Sequence, residues 1–154
     1  MTIREITASD YTAVEEMALS LHRETLAHRP DLFTPLEEFY SPELFREWPS
    51  GAVQDAIWLV AEEDGSAAGI CLTRVNDRRE MHAEREPCVD LLYVREPYRR
   101  RGIARELLEE TQRRAKAMGL STLILCVEGY NEGAMRLYED FGMKPRKLYY
   151  EKNI

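Results

Sequence analysis

The sequence predicts a single α/β (α+β) domain over residues 1–154, in which a central mixed sheet of about six to seven strands carries helices on both faces. Residues 89–94 and 122–127 are nearly continuous apolar runs, as expected for strands buried on both faces. Between them, apolar residues recur at helical spacing, which predicts a βαβ unit with a right-handed crossover. A chain of 154 residues is long enough for one substantial core.

The first part of the chain predicts a short strand followed by a helix. Residues 3–6 form the strand, and Thr7 followed by Asp10 fits a capping box at the helix start. Apolar side chains then recur at helical spacing, so this helix lays one face on the core. The recurring residues are Tyr11, Val14, Met17, Ala18 and Leu21.

A β-hairpin is predicted in the middle of the chain. Asp64-Gly65 is a strong turn dipeptide, and it lies between strand-like segments at residues 56–61 and 67–75. Residues 76–86 are charged and aperiodic, which predicts a loop. The predicted helix of the βαβ unit runs from Ile103 to Met118, and Gly119 would end it.

Composition and charge exclude several classes of function. The net charge of −7 argues against general nucleic-acid binding. No apolar run approaches the roughly 20 residues that span a bilayer, and the N-terminus has no secretory pattern. The cysteines form no C-x-x-C pair and the histidines show no ligand spacing, so we expect reduced thiols, a cytoplasmic location and no metal.

The stretch from Arg99 to Ala104 carries the first functional signal. It reads Arg-Arg-Arg-Gly-Ile-Ala and joins the strand at 89–94 to a helix. Unpaired N–H groups at a helix start, with the positive end of the helix dipole, form an anion site. Gly102 lets an anion approach the backbone, and the arginines add charged donors. The pattern predicts a site for a pyrophosphate-bearing cofactor. The alternative is that the arginines are simply solvated and bind no ligand. The arginines are Arg99, Arg100 and Arg101.

A second motif makes the chain similar to a known family. The matching residues are Arg99, Gly102 and Ala104 for the pattern Gln/Arg-x-x-Gly-x-Gly/Ala, and Asn131, Ala134, Leu137 and Tyr138 for Asn-x-x-Ala-x-x-Leu-Tyr. With both patterns the chain resembles the GNAT superfamily, the acetyl-coenzyme A-dependent N-acetyltransferases. Gly142-Met143 stands where this family usually has Gly-Phe. The resemblance is strong over residues 89–143 and weak over 26–55.

The resemblance implies acetyl-coenzyme A (acetyl-CoA) as co-substrate and implies where it is held. The backbone N–H groups that would hold its pyrophosphate belong to Arg101, Gly102, Ile103, Ala104 and Arg105. The pantetheine arm is peptide-like, and it would pair as an added strand with the backbone of Leu92, Tyr93 and Val94. The arm would enter where the strands at 89–94 and 122–127 splay apart. Asn131 would hydrogen-bond the arm, and it is equally suited to capping the helix that follows.

The reaction implied by the resemblance is direct attack of an amine on the thioester. Tyr138 occupies the position of the general acid in many family members. Its phenol, with a pKa of about 10, is within two units of a thiol near 8.5, so it can protonate the departing thiolate. The alternative role for Tyr138 is that of an aromatic core residue.

A carboxylate is the candidate proton acceptor. Asp90 lies on the strand before the phosphate loop, where family members often carry a carboxylate. It would serve as general base, or it would sit at the sheet surface paired with an arginine. Glu84 and Glu86 are further candidates.

The resemblance also implies an amine acceptor, on a small molecule or a peptide, without identifying it. The acceptor wall would come from residues of about 21–48, including a short helix at 42–48, and from a last strand at 146–150. One alternative function is a catalytically silent acyl-CoA-binding module, which acts as a sensor or structural partner. Nucleic-acid binding through the arginine run is a second, opposed by the acidic charge. We expect no nucleic-acid or membrane partner, and a homodimer stays open because dimers are common in the family.

Overall fold

The computed structural model describes residues 1–39, 56–77 and 85–154. The predicted helix at 42–48 and Glu84 lie outside these ranges. The described strands form one sheet in the order β1-β2-β3-β4-β5, in which neighbours are antiparallel except for the parallel pair β4–β5. The strands are β1 (Thr2–Glu5), β2 (Ala56–Glu63), β3 (Ser66–Asp77), β4 (Arg85–Val94) and β5 (Ile124–Leu125). The helices are α1 (Tyr11–His28), α2 (Leu36–Phe39), α3 (Ile103–Ala117) and α4 (Glu132–Asp140).

Local sequence signals explain how the main elements start and turn. The backbone N–H of Thr7 donates to the Asp10 carboxylate at 2.8 Å, which confirms the capping box before α1. Asp64 and Gly65 both have positive φ, as the tight β2–β3 turn requires. Gly119, with a φ of 78°, ends α3 as predicted.

Three predicted elements differ in the structure, and the predicted strand count is not confirmed. The described residues form a sheet of five strands, where six to seven are predicted. The strand predicted at 122–127 is confined to Ile124–Leu125, and residues 146–150 form no strand. The loop predicted at 76–86 is wrong at both ends, because Asn76 pairs with Glu86 and Asp77 with Arg85 in the β3–β4 ladder. Charged residues there pair across an antiparallel ladder, which an apolar pattern does not reveal.

Apolar side chains fill both faces of the sheet. One cluster packs α3 against the sheet through Leu107 and Leu108, both fully buried, and includes Val89 of β4. The other packs α1 on the opposite face through Val14 and Met17. We call these the α3 face and the α1 face. In the described residues no helix is long and apolar enough to cross a membrane.

Candidate active site

An irregularity in β4 opens a cleft beside the sheet. The β3–β4 register shifts between Leu72 and Thr73, and Asp90 is left as an extra residue in β4. This is a β-bulge, which bends a strand and is frequent beside active sites. β4 pairs with β5 only at Cys88 and Val89, so the two strands part at the bulge. We call the gap that opens from Asp90 along β4 the cleft, and its closed end at Asp90 the vertex.

Backbone groups of β4 beyond the vertex face this cleft. Tyr93 is opposite Ile70 of β3, and the N–H of Arg95, two residues on, donates to β3 at 2.9 Å. Tyr93 therefore directs its N–H and C=O toward β3. Because successive residues of a strand direct these groups to opposite sides, those of Leu92 and Val94 point into the cleft. A peptide-like chain could pair with both backbone groups of Leu92 and with the N–H of Val94, whereas the backbone of Tyr93 is already used and the Val94 carbonyl accepts from Arg99.

The start of α3 supplies donors at the mouth of the cleft. Gly102 precedes α3 with a φ of 84° and offers no side-chain cap, and Arg100 also has positive φ. The helix ladder begins with Glu106, whose N–H donates to the carbonyl of Gly102 at 3.1 Å. The N–H groups of residues 103–105 therefore have no helical partner, and the helix dipole adds partial positive charge. This arrangement fits a pyrophosphate.

The arginines around the start of α3 differ in their ion-pair partners. The ion pairs are Arg99–Glu24 at 2.6 Å, Arg101–Glu63 at 3.5 Å and Arg105–Glu109 at 3.0 Å. The Nε of Arg99 also donates to the carbonyl of Val94 at 2.9 Å, so Arg99 ties α1 to the end of β4. Arg100 has no carboxylate partner within the part of the chain that the structure describes. Among these arginines, the guanidinium of Arg100 is therefore the one that no described carboxylate occupies.

Tyr138 lies on α4 and packs on the α3 face, in the same cluster as Leu92 and Val94. Burial raises the pKa of its phenol to about 12, and the thiol of Cys71 adds to the shift. No described residue forms a hydrogen bond with the hydroxyl. The phenol thus keeps its proton at neutral pH, and that proton is not committed to another group.

Asp90 forms an ion pair with Arg74 of β3, the arrangement that the sequence analysis gave as the alternative to a free base. Arg74 Nη2 donates to Asp90 Oδ1 at 2.8 Å, and Arg74 Nε donates to Oδ2. The Arg74 side chain is 45% exposed and that of Asp90 is 18% exposed. Arg74 is two residues beyond Leu72, which packs toward α1, so the pair lies on the α1 face.

A second ion pair lies beside the first. Glu86 is 3% exposed and pairs with Arg146 of the C-terminal segment. The pKa of the Cys88 thiol is raised, first by burial and then by nearby acidic groups, chiefly the Asp90 carboxylate, while Arg74 opposes the shift and Glu86 adds to it. One thiol therefore lies within electrostatic reach of both pairs. The charged cluster, as we call it, consists of Arg74, Glu86, Asp90 and Arg146.

Asn131 caps α4, because its side-chain oxygen accepts a hydrogen bond from the backbone N–H of Ala134 at 3.0 Å. Its side-chain NH₂ group remains available as a donor. Sequence analysis missed Arg74, Arg146 and Glu24. Each reaches its partner across distant segments, and no local pattern signals such a contact.

Comparison with known proteins places the chain in a family. A model described as acetyltransferase (GNAT) family matches residues 17–143. The chain belongs to this family and is therefore an acyltransferase. Members of the family generally use acetyl-CoA as co-substrate.

Two curated relatives are acetyltransferases. YwnH of Bacillus subtilis (strain 168), provisionally described as a phosphinothricin acetyltransferase, is 28% identical over 97% of this chain and 87% of its own length. The D-amino-acid N-acetyltransferase HPA3 of Saccharomyces cerevisiae is 31% identical over 59% of this chain and 56% of its own length.

Solved structures agree on the fold. A tetramutant of BH1408 from Bacillus halodurans superposes with a TM-score of 0.87 at 25% identity, covering 100% of both chains. A ribosomal-protein-alanine N-acetyltransferase from Brucella melitensis biovar Abortus 2308 gives a TM-score of 0.71 at 19% identity, also over 100% of both chains.

Proposed function

We propose that this protein transfers the acetyl group of acetyl-CoA to the primary amine of a small molecule, by direct attack within a ternary complex. The observation that carries the proposal is the cleft itself. Unpaired N–H groups at the start of α3 lie at its mouth, and the backbone groups of Leu92 with the N–H of Val94 lead to its vertex. An acyl-CoA has a pyrophosphate and a peptide-like arm in that same order.

The chain's own residues would hold the co-substrate through these groups. The N–H groups of residues 103–105 and the guanidinium of Arg100 would take the phosphates. Leu92 and Val94 would pair with the amide groups of the arm, and the NH₂ of Asn131 is a further donor for the arm. When bound, acetyl-CoA supplies the thioester whose acetyl group moves to the amine.

Protons would be handled on the two sides of the vertex. Tyr138 belongs to the α3 face, and its Oη would give its proton to the sulfur as the carbon–sulfur bond breaks. Asp90 is on the α1 face, and its carboxylate would receive the proton that the amine loses as the nitrogen–carbon bond forms. An amine that enters from the α1 face would therefore contact the Asp90 carboxylate first and the thioester second.

Names of relatives support a small amino-acid-like acceptor. HPA3 is named for acetylation of D-amino acids, and the name given to YwnH refers to phosphinothricin. The amine of a free amino acid is mostly protonated at pH 7, so it needs an acceptor for its proton, and Asp90 would serve as that acceptor.

The experiment that tests the proposal combines binding with product detection. Acetyl-CoA is titrated by calorimetry and then incubated with amino acids, aminoglycosides, polyamines and peptides, and products are detected by mass spectrometry. We expect saturable binding and the mass gain of one acetyl group on at least one amine. Saturable binding without acetylation of any amine would favour the catalytically silent acyl-CoA-binding module instead.

A further inference from the structure

The guanidinium of Arg74 is held by one edge and open at the other. Asp90 takes the edge formed by Nε and Nη2. In the described residues, no group takes the remaining edge, formed by Nη1 and the second hydrogen of Nη2. Since 45% of the Arg74 side chain is exposed, that edge is accessible to a ligand. A guanidinium fixed on one side presents two parallel N–H donors on the other, the geometry that binds a carboxylate through both oxygens.

The position of this open edge is set by the bulge. Asp90 is the extra residue of β4 and marks the vertex of the cleft, and Arg74 lies beside it on β3. The pair lies on the α1 face, whereas Tyr138 belongs to the α3 face. A group bound to Arg74 is therefore on the side from which the proposed mechanism brings the amine.

We propose that Arg74 is the specificity residue for an acceptor of one class, the free α-amino acids, whose carboxylate it binds end-on while Asp90 faces the ammonium group. The inference rests on the proposed acetyl transfer and adds the class of acceptor to it. An α-amino acid carries both charges on neighbouring atoms, so it complements a carboxylate and a guanidinium that already lie side by side. Asp90 is then also a positioning residue, because its bidentate contact fixes the orientation of Arg74.

The neighbouring ion pair strengthens this assignment. Glu86 is buried and already balanced by Arg146, so it does not compete for the acceptor's ammonium group. The acceptor end of the vertex thus holds charges of both signs, with the exposed guanidinium of Arg74 beside the partly exposed carboxylate of Asp90. A diamine or polyamine would bring a second cation against Arg74, which like-charge repulsion opposes.

The first test compares acceptors that share a side chain and differ at the carboxylate, with kcat/KM expressed per neutral amine. Methionine in both D and L forms, methioninamide and the decarboxylated amine 3-(methylthio)propylamine would be assayed, together with the corresponding glutamate and phenylalanine series. The wild-type protein should favour the free acid over its amide by about 10²-fold in kcat/KM, because a charged bidentate contact is lost in the amide. Equal rates for acid, amide and amine would overturn the inference while leaving acetyl transfer intact.

The second test uses substitutions at Arg74 to change the preference for the free acid over its amide. Arg74→Gln should bring the acid-to-amide ratio of kcat/KM to about one, mainly through KM for the acid. Arg74→Lys keeps the charge without the planar fork, so it should retain only part of the ratio. Arg113→Gln, at an exposed ion pair of α3, is the matched control and should keep the wild-type ratio. A ratio unchanged in Arg74→Gln would contradict the assignment.

A binding measurement distinguishes the role of Arg74 from the proposed acetyl transfer. Calorimetric titration of D- and L-methionine into the protein saturated with coenzyme A should show binding of at least one enantiomer that is lost in Arg74→Gln and does not occur with methioninamide. Binding of amide and acid alike would contradict the role of Arg74. Absence of acetylation on every amine, with acetyl-CoA bound, would instead contradict the proposed function.

Discussion

The two halves of β4, on either side of the bulge at Asp90, present different chemistry. Residues 91–94 offer backbone groups of Leu92 and Val94 and lead to the N–H groups of α3. Residues 85–90 offer side chains, in which Glu86 and Asp90 pair with arginines from other parts of the chain. A backbone surface suits a ligand that is always the same, such as acetyl-CoA. A side-chain surface can differ between relatives without loss of the fold, and it suits the acceptor.

The largest expected effect is on acetyl-CoA binding, at the backbone surface formed by residues 91–94 and the start of α3. Gly102→Glu puts a negative side chain at the start of α3, and the φ of 84° adds strain of about 1–2 kcal/mol. Acetyl-CoA affinity should fall by about 10²-fold. A concentration that stabilises the wild type by about 2.7 kcal/mol would then stabilise the variant by about 0.4 kcal/mol, measured by thermal unfolding.

Gly119→Glu is the matched control for this variant. It lies at the other end of α3 with a φ of 78°, so it carries similar backbone strain. Nothing lies within 4 Å of its added Cβ. It should lose stability and keep the full ligand-induced stabilisation. If Gly102→Glu folds and keeps that stabilisation too, the phosphate site lies elsewhere.

Tyr138→Phe tests the proton donor while preserving the ring. We expect kcat to fall by about 10²-fold with little change in acetyl-CoA affinity, because the hydroxyl acts mainly in the transition state. Burial raises the phenol pKa to about 12, so the wild type keeps this proton, and the loss should be the same from pH 6 to pH 10. Steady-state kinetics across that range is the measurement, with Tyr11→Phe of α1 as control. An unchanged kcat would leave Tyr138 as a core aromatic.

Asp90→Asn tests the side-chain half of β4. At pH 7 we expect kcat/KM for the acceptor to fall by about 10- to 10²-fold, and at pH 9 by less, because a larger fraction of the amine is by then neutral. The pH profile of kcat/KM is the measurement, and Glu110→Gln, an ion-paired carboxylate of α3, is the control. A loss of equal size at every pH would restrict Asp90 to orienting Arg74. No loss would remove it from the mechanism.

The smallest expected effect is at the tie between α1 and β4. Glu24→Gln removes the negative charge that pairs with Arg99, while the amide oxygen it leaves can still accept from Arg99 and from the Tyr93 hydroxyl. The pair is partly exposed, so the free energy of unfolding should fall by less than about 1 kcal/mol. Acetyl-CoA affinity should change by less than about threefold, since Arg99 keeps its contact with the carbonyl of Val94. A tenfold change measured by calorimetry would make Arg99 a cofactor ligand.

The sequence predicts the backbone half of the site far better than the side-chain half. Gly102 and the apolar face of α3 are local signals, because a turn with positive φ and a helical period are set by neighbouring residues. The capping box at Thr7 and the Asp64-Gly65 turn are predictable for the same reason. Ladder pairing between Asn76 and Glu86, and the ion pair that joins Arg74 to Asp90, depend on which strands become neighbours. The residues next to Glu86 or Asp90 in the sequence do not indicate which distant side chain will pair with it.

The central claim, that acetyl-CoA pairs with the free edge of β4 up to the vertex, is tested most directly by residue-resolved amide hydrogen exchange with and without coenzyme A. The account predicts that bound coenzyme A slows exchange at the N–H groups of Leu92, Val94 and residues 103–105. Tyr93 should show little change, because its N–H is already paired with β3. Slowed exchange elsewhere, with Leu92 and Val94 unchanged, would contradict the account.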